Sequence, residues 1–142
     1  MSVGLGGELW GLATTSIPDV SVEAAIGEAA RGLMEIPGVS FIMVVGHGGS
    51  EFFKWYRTGL DRARMRVGGG DVIGLMGQAG LMLDKTSSGL LDSLVLRTDR
   101  STILVQAAGR GYLVVVADKS VSLAILFMRA RAVANDISKM LR

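Results

Sequence analysis

The chain has no cysteine. That excludes disulfides, thiol nucleophiles and cysteine-ligated metal, and it suits a reducing compartment such as the cytoplasm. Its one histidine, His47, lies in the glycine turn Gly46-His47-Gly48-Gly49. A single imidazole without thiols supports no zinc site of familiar spacing, and a histidine in such a turn reads first as solvated. The longest stretches free of Asp, Glu, Lys and Arg are interrupted by glycine, as in Ile36 to Ser50. None reaches the roughly 18 apolar residues that a membrane-spanning helix needs. The opening MSVGLGGELWGLATTS has no basic start and no long apolar core, so it does not read as a secretory signal. Charge of one sign is also lacking. Fifteen Lys and Arg stand against thirteen Asp and Glu, a net charge of +2. That balance makes no strong case for nucleic acid or an anionic membrane as partner.

What is present is apolar: 49% of the 142 residues are hydrophobic and 20% charged. This is the composition and length of one ordinary globular domain. We read residues 1–19 as an N-terminal extension with one large anchor, Trp10, and residues 20–142 as the domain. Ser21 is an N-cap candidate with Glu23 in the first turn, followed by Val22, Ile26, Ala29/Ala30 and Leu33 at helical spacing. Ile36-Pro37-Gly38 ends that helix.

Val39 to Val45 (VSFIMVV) is a near-continuous apolar run, the mark of a strand covered on both faces. After the glycine turn, Glu51 to Tyr56 (EFFKWY) predicts a hairpin partner near a sheet edge. The connector 57–70 is basic and glycine-rich, with Arg57, Arg62, Arg64 and Arg66 against Asp61. Ser93 to Thr98, Ser101 to Ala108 and Tyr112 to Ala117 predict three further strands joined by tight turns. Ser122 caps a last helix whose stripe is Leu123, Leu126/Phe127, Ala130, Val133/Ala134, Ile137 and Leu141. The order is α-β-β-α-β-β-β-α. Connections this short between strands demand antiparallel pairing, so the expected fold is α+β, a five-stranded antiparallel sheet between helices. The apolar strands belong in its middle, and 51–56 and 93–98 at its edges.

The stretch Asp71 to Thr98 organises the rest. Asp71 is a plausible N-cap for a helix that is apolar on too many sides. Ile73, Met76 and Leu83 mark one side, Leu75, Ala79 and Met82 another, and Gly74, Gly77 and Gly80 a third. One sheet face needs a single apolar stripe. Each interior glycine costs up to about 1 kcal/mol against alanine, so three imply that some backbone comes close. We therefore expect this helix to pack on its own sheet and on a partner. A kinked, fully buried helix, or two short helices in one larger core, is the alternative.

With these elements placed, the chain resembles the Roadblock family, which includes dynein light chains and prokaryotic regulators of small GTPases. The resemblance rests on the first helix running into Ile36-Pro37-Gly38-Val39 and its hydrophobic strand. It rests more specifically on Gly89-Leu90-Leu91-Asp92-Ser93-Leu94-Val95-Leu96 through Arg110-Gly111-Tyr112-Leu113-Val114-Val115-Val116-Ala117-Asp118. It spans roughly Val20 to Leu141, and the basic connector departs from the usual acidic or mixed linker. The resemblance implies a homodimer or heterodimer in which middle helices pack together and third strands pair. In this sequence that places Gly74, Gly77, Gly80, Leu94, Val95 and Leu96 at a dimer interface. It also implies a helix platform for a small Ras-like GTPase, with Leu75, Gln78, Ala79 and Met82 as the contacts.

No constellation for chemistry emerges. Gly68-Gly69-Gly70 lacks the Gly-Lys-Ser/Thr ending of a phosphate loop, and Lys85-Thr86 follows an apolar helix rather than a glycine loop. Carboxylates are scattered. We expect no catalysis, cofactor, metal, nucleic acid or membrane insertion, but a dimeric binding module that regulates or scaffolds a small GTPase. The alternative is a structural subunit of a larger assembly, such as a motor or scaffold, without nucleotide-dependent contacts. A third reading puts phosphate or nucleic-acid contact on Arg57, Arg62, Arg64 and Arg66, against a plain solvated loop.

Overall fold

A computed structural model describes residues 16–141 of the protein, with side chains from Val22 onward. Trp10 and nearly all of the expected N-terminal extension lie outside the described residues. Helix α1 runs Ser16–Ala29, followed by a single turn, α2, at Arg31–Met34. Ser21 is thus inside α1 rather than at its N-cap. Pro18 falls in the first turn, where N–H groups have no intrahelical partner and a missing one costs nothing.

The strands are β1 (Val39–Gly46), β2 (Glu51–Tyr56), β3 (Ser93–Arg97), β4 (Ser101–Ala108) and β5 (Gly111–Asp118). They form one sheet in the order β2-β1-β5-β4-β3, antiparallel throughout. The most apolar runs occupy the three central places, as their composition demands. The two strands predicted for the edges are there.

Strand alternation divides the core in two. Ile42, Val44, Leu104, Leu113 and Val115 face one way and pack with α1, α2 and α4 (Leu123–Ser138). Phe41, Met43, Val45, Val105, Val114 and Val116 face the other way, under α3 (Gly69–Lys85). The result is three layers, helices–sheet–helix, and the second layer is thin because one helix covers it. Helix α4 begins as expected, with Ser122 Oγ accepting from the Ile125 N–H at 3.4 Å.

Two polar anchors hold the ends of the sheet. Arg57 donates to the Val39, Met34 and Ile36 carbonyls at 2.6, 2.7 and 3.1 Å, and its guanidinium lies 5.1 Å from the Trp55 ring. These carbonyls belong to the bend around Pro37-Gly38, and that of Ile36 also accepts from the Val39 N–H at 3.2 Å. Arg57 is therefore a structural staple, which removes it from the set of free phosphate contacts. At the other end, the Asp92 carbonyl accepts from Ala107 N–H at 2.8 Å and from Gln106 Nε2 at 3.2 Å. The Asp92 carboxylate pairs with Arg131 at 3.1 Å. The entry to edge strand β3 is thereby fixed to β4 and α4.

Candidate partner-binding face

Helix α3 begins at Gly69, two residues before the start expected at Asp71. Gly68 is the N-cap, and Asp71 works from the third helical position, its Oδ2 accepting from the Gly68 N–H at 2.8 Å. The additional turn exists because of distant residues. Glu51 on β2 accepts from the Gly69 N–H at 2.8 Å, and its other oxygen meets Lys54 Nζ at 3.0 Å. A Cβ on Gly69 would collide with the Gly49 carbonyl oxygen, so only glycine permits this approach of helix to turn. Two carboxylates at a helix N-terminus also suit its dipole.

The Gly69 amide, and then Lys54, hold the Glu51 carboxyl below its ordinary value. A carboxyl whose folded pKa is depressed stabilises the fold above its unfolded pKa, and that contribution disappears as pH falls through the folded value. Glu51→Gln is therefore expected to lose about 1 kcal/mol at neutral pH, a charge-assisted bond discounted for solvent. It is also expected to show a flatter fall in Tm below about pH 4.5 than the parent. Thermal melts across that range, with hydrogen exchange at Gly69, read both effects. Parallel pH profiles would refute the role.

Beyond its first turns α3 leaves the sheet. Val72 and Met76 are 3% exposed, and Ile73 is half-buried. Leu83, expected on the same side as Met76, is only half-buried. The outward side carries Leu75 at 37%, Leu81 at 55% and Met82 at 63% exposure, with Gln78 between them. Ala79 is half-buried. Gly74, Gly77 and Gly80 face open space: a Cβ on any of them would meet nothing within 4 Å. The close approach that three helical glycines imply is not made within this chain.

Next to this face is the free edge of the sheet. Leu94 packs among the α3-side residues and Val95 among those on the opposite side, because alternate residues point oppositely. Leu96 is 39% exposed, and among the described residues no strand pairs with the outer edge of β3. The loop between α3 and β3 presents Leu90, which is 99% exposed. Sequence reasoning missed Leu81 and Leu90. Leu81 was legible, since it lies seven residues, two turns, beyond Gly74. Leu90 was not, because loops have no period. A separate exposed pair, Ile125 and Met128, lies on α4 in the opposite layer.

A hollow of about 1010 Å³ opens elsewhere, between α1 and two hairpin turns. Its lining mixes Val22, Phe52 and Leu141 with Glu23, His47 and Arg110. His47 lies 5.1 Å from the Tyr112 ring. Among the described residues no three His, Asp or Glu side chains gather as metal ligands, and no helix is long and apolar enough to cross a membrane.

No family model and no curated protein sequence matches the chain. Solved structures do match it. Myxococcus xanthus MglB superposes with a TM-score of 0.68 at 14% identity, over 86% of this chain and 88% of that one. The gliding protein MglB of Thermus thermophilus gives 0.69 at 13%, over 87% and 90%. A Roadblock/LC7 domain from Streptomyces avermitilis gives 0.66 at 17%, over 79% and 92%. The layers, the strand order and these likenesses agree, and the fold of this chain is the Roadblock-like fold.

Proposed function

We propose that the protein is a dimeric, non-catalytic binding module that regulates or scaffolds a small Ras-like GTPase. The observation that carries this reading is the apolar outer half of α3 next to an unpaired strand edge. A monomer gains nothing by exposing Leu75, Leu81 and Met82 together, and a contiguous apolar patch of this kind marks an interaction site. An open strand edge is a liability that a two-fold partner removes. In this reading α3 packs on its copy through Gly74, Gly77 and Gly80. Strand β3 pairs with its copy along Leu94 to Leu96. Leu75, Gln78, Ala79 and Met82 then face the GTPase, as in the Roadblock proteins that the chain resembles. The cytoplasm, where such GTPases act, suits the cysteine-free chain.

The test is retention of proteins from the source cell's extract on the tagged chain, once with a non-hydrolysable GTP analogue and once with GDP. A small GTPase held in one nucleotide state is the expected result. The same partners in both states, with no GTPase among them, would make the protein an assembly subunit instead.

A further inference from the structure

The connector between β2 and α3 has a construction that a solvated loop does not need. Asp61 Oδ1 accepts from the Ala63 N–H at 3.0 Å and caps a short 3-10 turn at Arg62–Arg64. The Arg62 guanidinium lies 4.6 Å from the Tyr56 ring, and that ring lies 5.1 Å from Phe41. Met65 and Val67 then pack into the cluster that holds Val72, Met76 and Ile73 of α3. Inward Met65 and Val67 alternate with outward Arg64 and Arg66, both exposed. The neighbouring carboxylates are already engaged: Asp61 on Ala63, Asp71 on Gly68, and Glu51 on Gly69 and Lys54. Lys85 and Asp84, at the far end of α3, offset each other.

We propose that Arg62, Arg64 and Arg66 form a basic rim on the connector that packs against the first half of α3, built to receive a protein surface with apolar residues bordered by carboxylates. The inference rests on the binding-module reading and names the chemistry of its partner. Arg62, held against the Tyr56 ring, has already given up part of its side-chain entropy, so pairing across an interface costs it less, while Met65 and Val67 fix the backbone that carries Arg64 and Arg66. Rim charges of this kind mainly set selectivity, on-rate and salt dependence. Nucleic acid is the poorer fit, because the nearby rings are not free for base stacking: Tyr56 is covered by Arg62 and Trp55 by Arg57.

The probes are two synthetic amphipathic helices with the same leucine face, one flanked by glutamate and one by lysine. Phosphatidylglycerol vesicles and a short DNA duplex are run beside them. The full chain is expected to bind the glutamate-flanked helix roughly tenfold more tightly than the lysine-flanked one, with affinity falling as salt rises. Arg64→Glu with Arg66→Glu is expected to erase that preference and leave sedimentation unchanged. Equal binding of both helices, tighter binding of vesicles or duplex, or an unaltered preference in the variant would each overturn the proposal. Sedimentation of the parent reads the dimer separately. A monomer that still prefers the glutamate-flanked helix would count against the dimer and leave the rim standing.

Discussion

The chain carrying Leu75→Asp together with Met82→Asp is expected to stay folded and, on the proposed function, to lose affinity for a small GTPase by at least a hundredfold and to dimerise more weakly. Both side chains lie on the outward side of α3, at 37% and 63% exposure. In the lone chain a carboxylate there remains in water, so surface substitution changes stability by only about 0.5 kcal/mol. In a closed interface the same carboxylate is removed from water without a cation opposite it. That costs several kcal/mol, and each 1.4 kcal/mol is tenfold in affinity. Melting, sedimentation and partner retention should be measured on one preparation. A Tm lowered by many degrees would place the two residues in the core. A folded variant that kept both dimer and partner would remove this face from function.

Replacing Gly74, Gly77 and Gly80 by alanine is expected to move two quantities in opposite directions. Within the chain the new Cβ atoms meet nothing within 4 Å. Each replacement therefore recovers up to about 1 kcal/mol of helix stability, partly by restricting the unfolded chain. In the proposed dimer, three methyl groups would separate helices that pack backbone to backbone. Overpacking costs typically 1–3 kcal/mol, which weakens the dimer by roughly ten- to a hundredfold. Denaturation at concentrations where the parent is dissociated reads the first quantity, and a sedimentation dilution series reads the second. Keeping them apart matters, because association itself raises apparent stability. If both rise together, the glycine stripe does not touch a second chain.

The helix–strand order and the edge strands were legible because they are local or compositional. A run such as VSFIMVV cannot be content with one covered face, and EFFKWY and SLVLR are the strands that can. Tight turns forced antiparallel pairing. The Roadblock resemblance followed from that order, and the superpositions agree with it at the level of fold. An excess of apolar surface on α3 was visible from three competing stripes, whereas its orientation was not.

Some details depended on residues far apart in sequence. Ser21 and Asp71 are both reasonable caps by local rules, yet both helices begin earlier. For α3 the reason is explicit: the first turn is held by Glu51, 18 residues away, and by a carbonyl of Gly49 that tolerates only a glycine opposite. Arg57 looked like one of four equivalent cations, and its three bonds to Met34, Ile36 and Val39 carbonyls make it part of the framework.

The sequence by itself determined the order of the main helices and strands, the antiparallel sheet, its central and edge strands, and the presence of more apolar surface on α3 than one sheet can cover. The tertiary structure decided which surface that is. A helix that is apolar on several sides has no direction of its own. The anchoring of its first turn against Glu51 and Gly49 puts Val72 and Met76 on the sheet, and leaves Leu75, Leu81, Met82 and the glycine stripe facing outward.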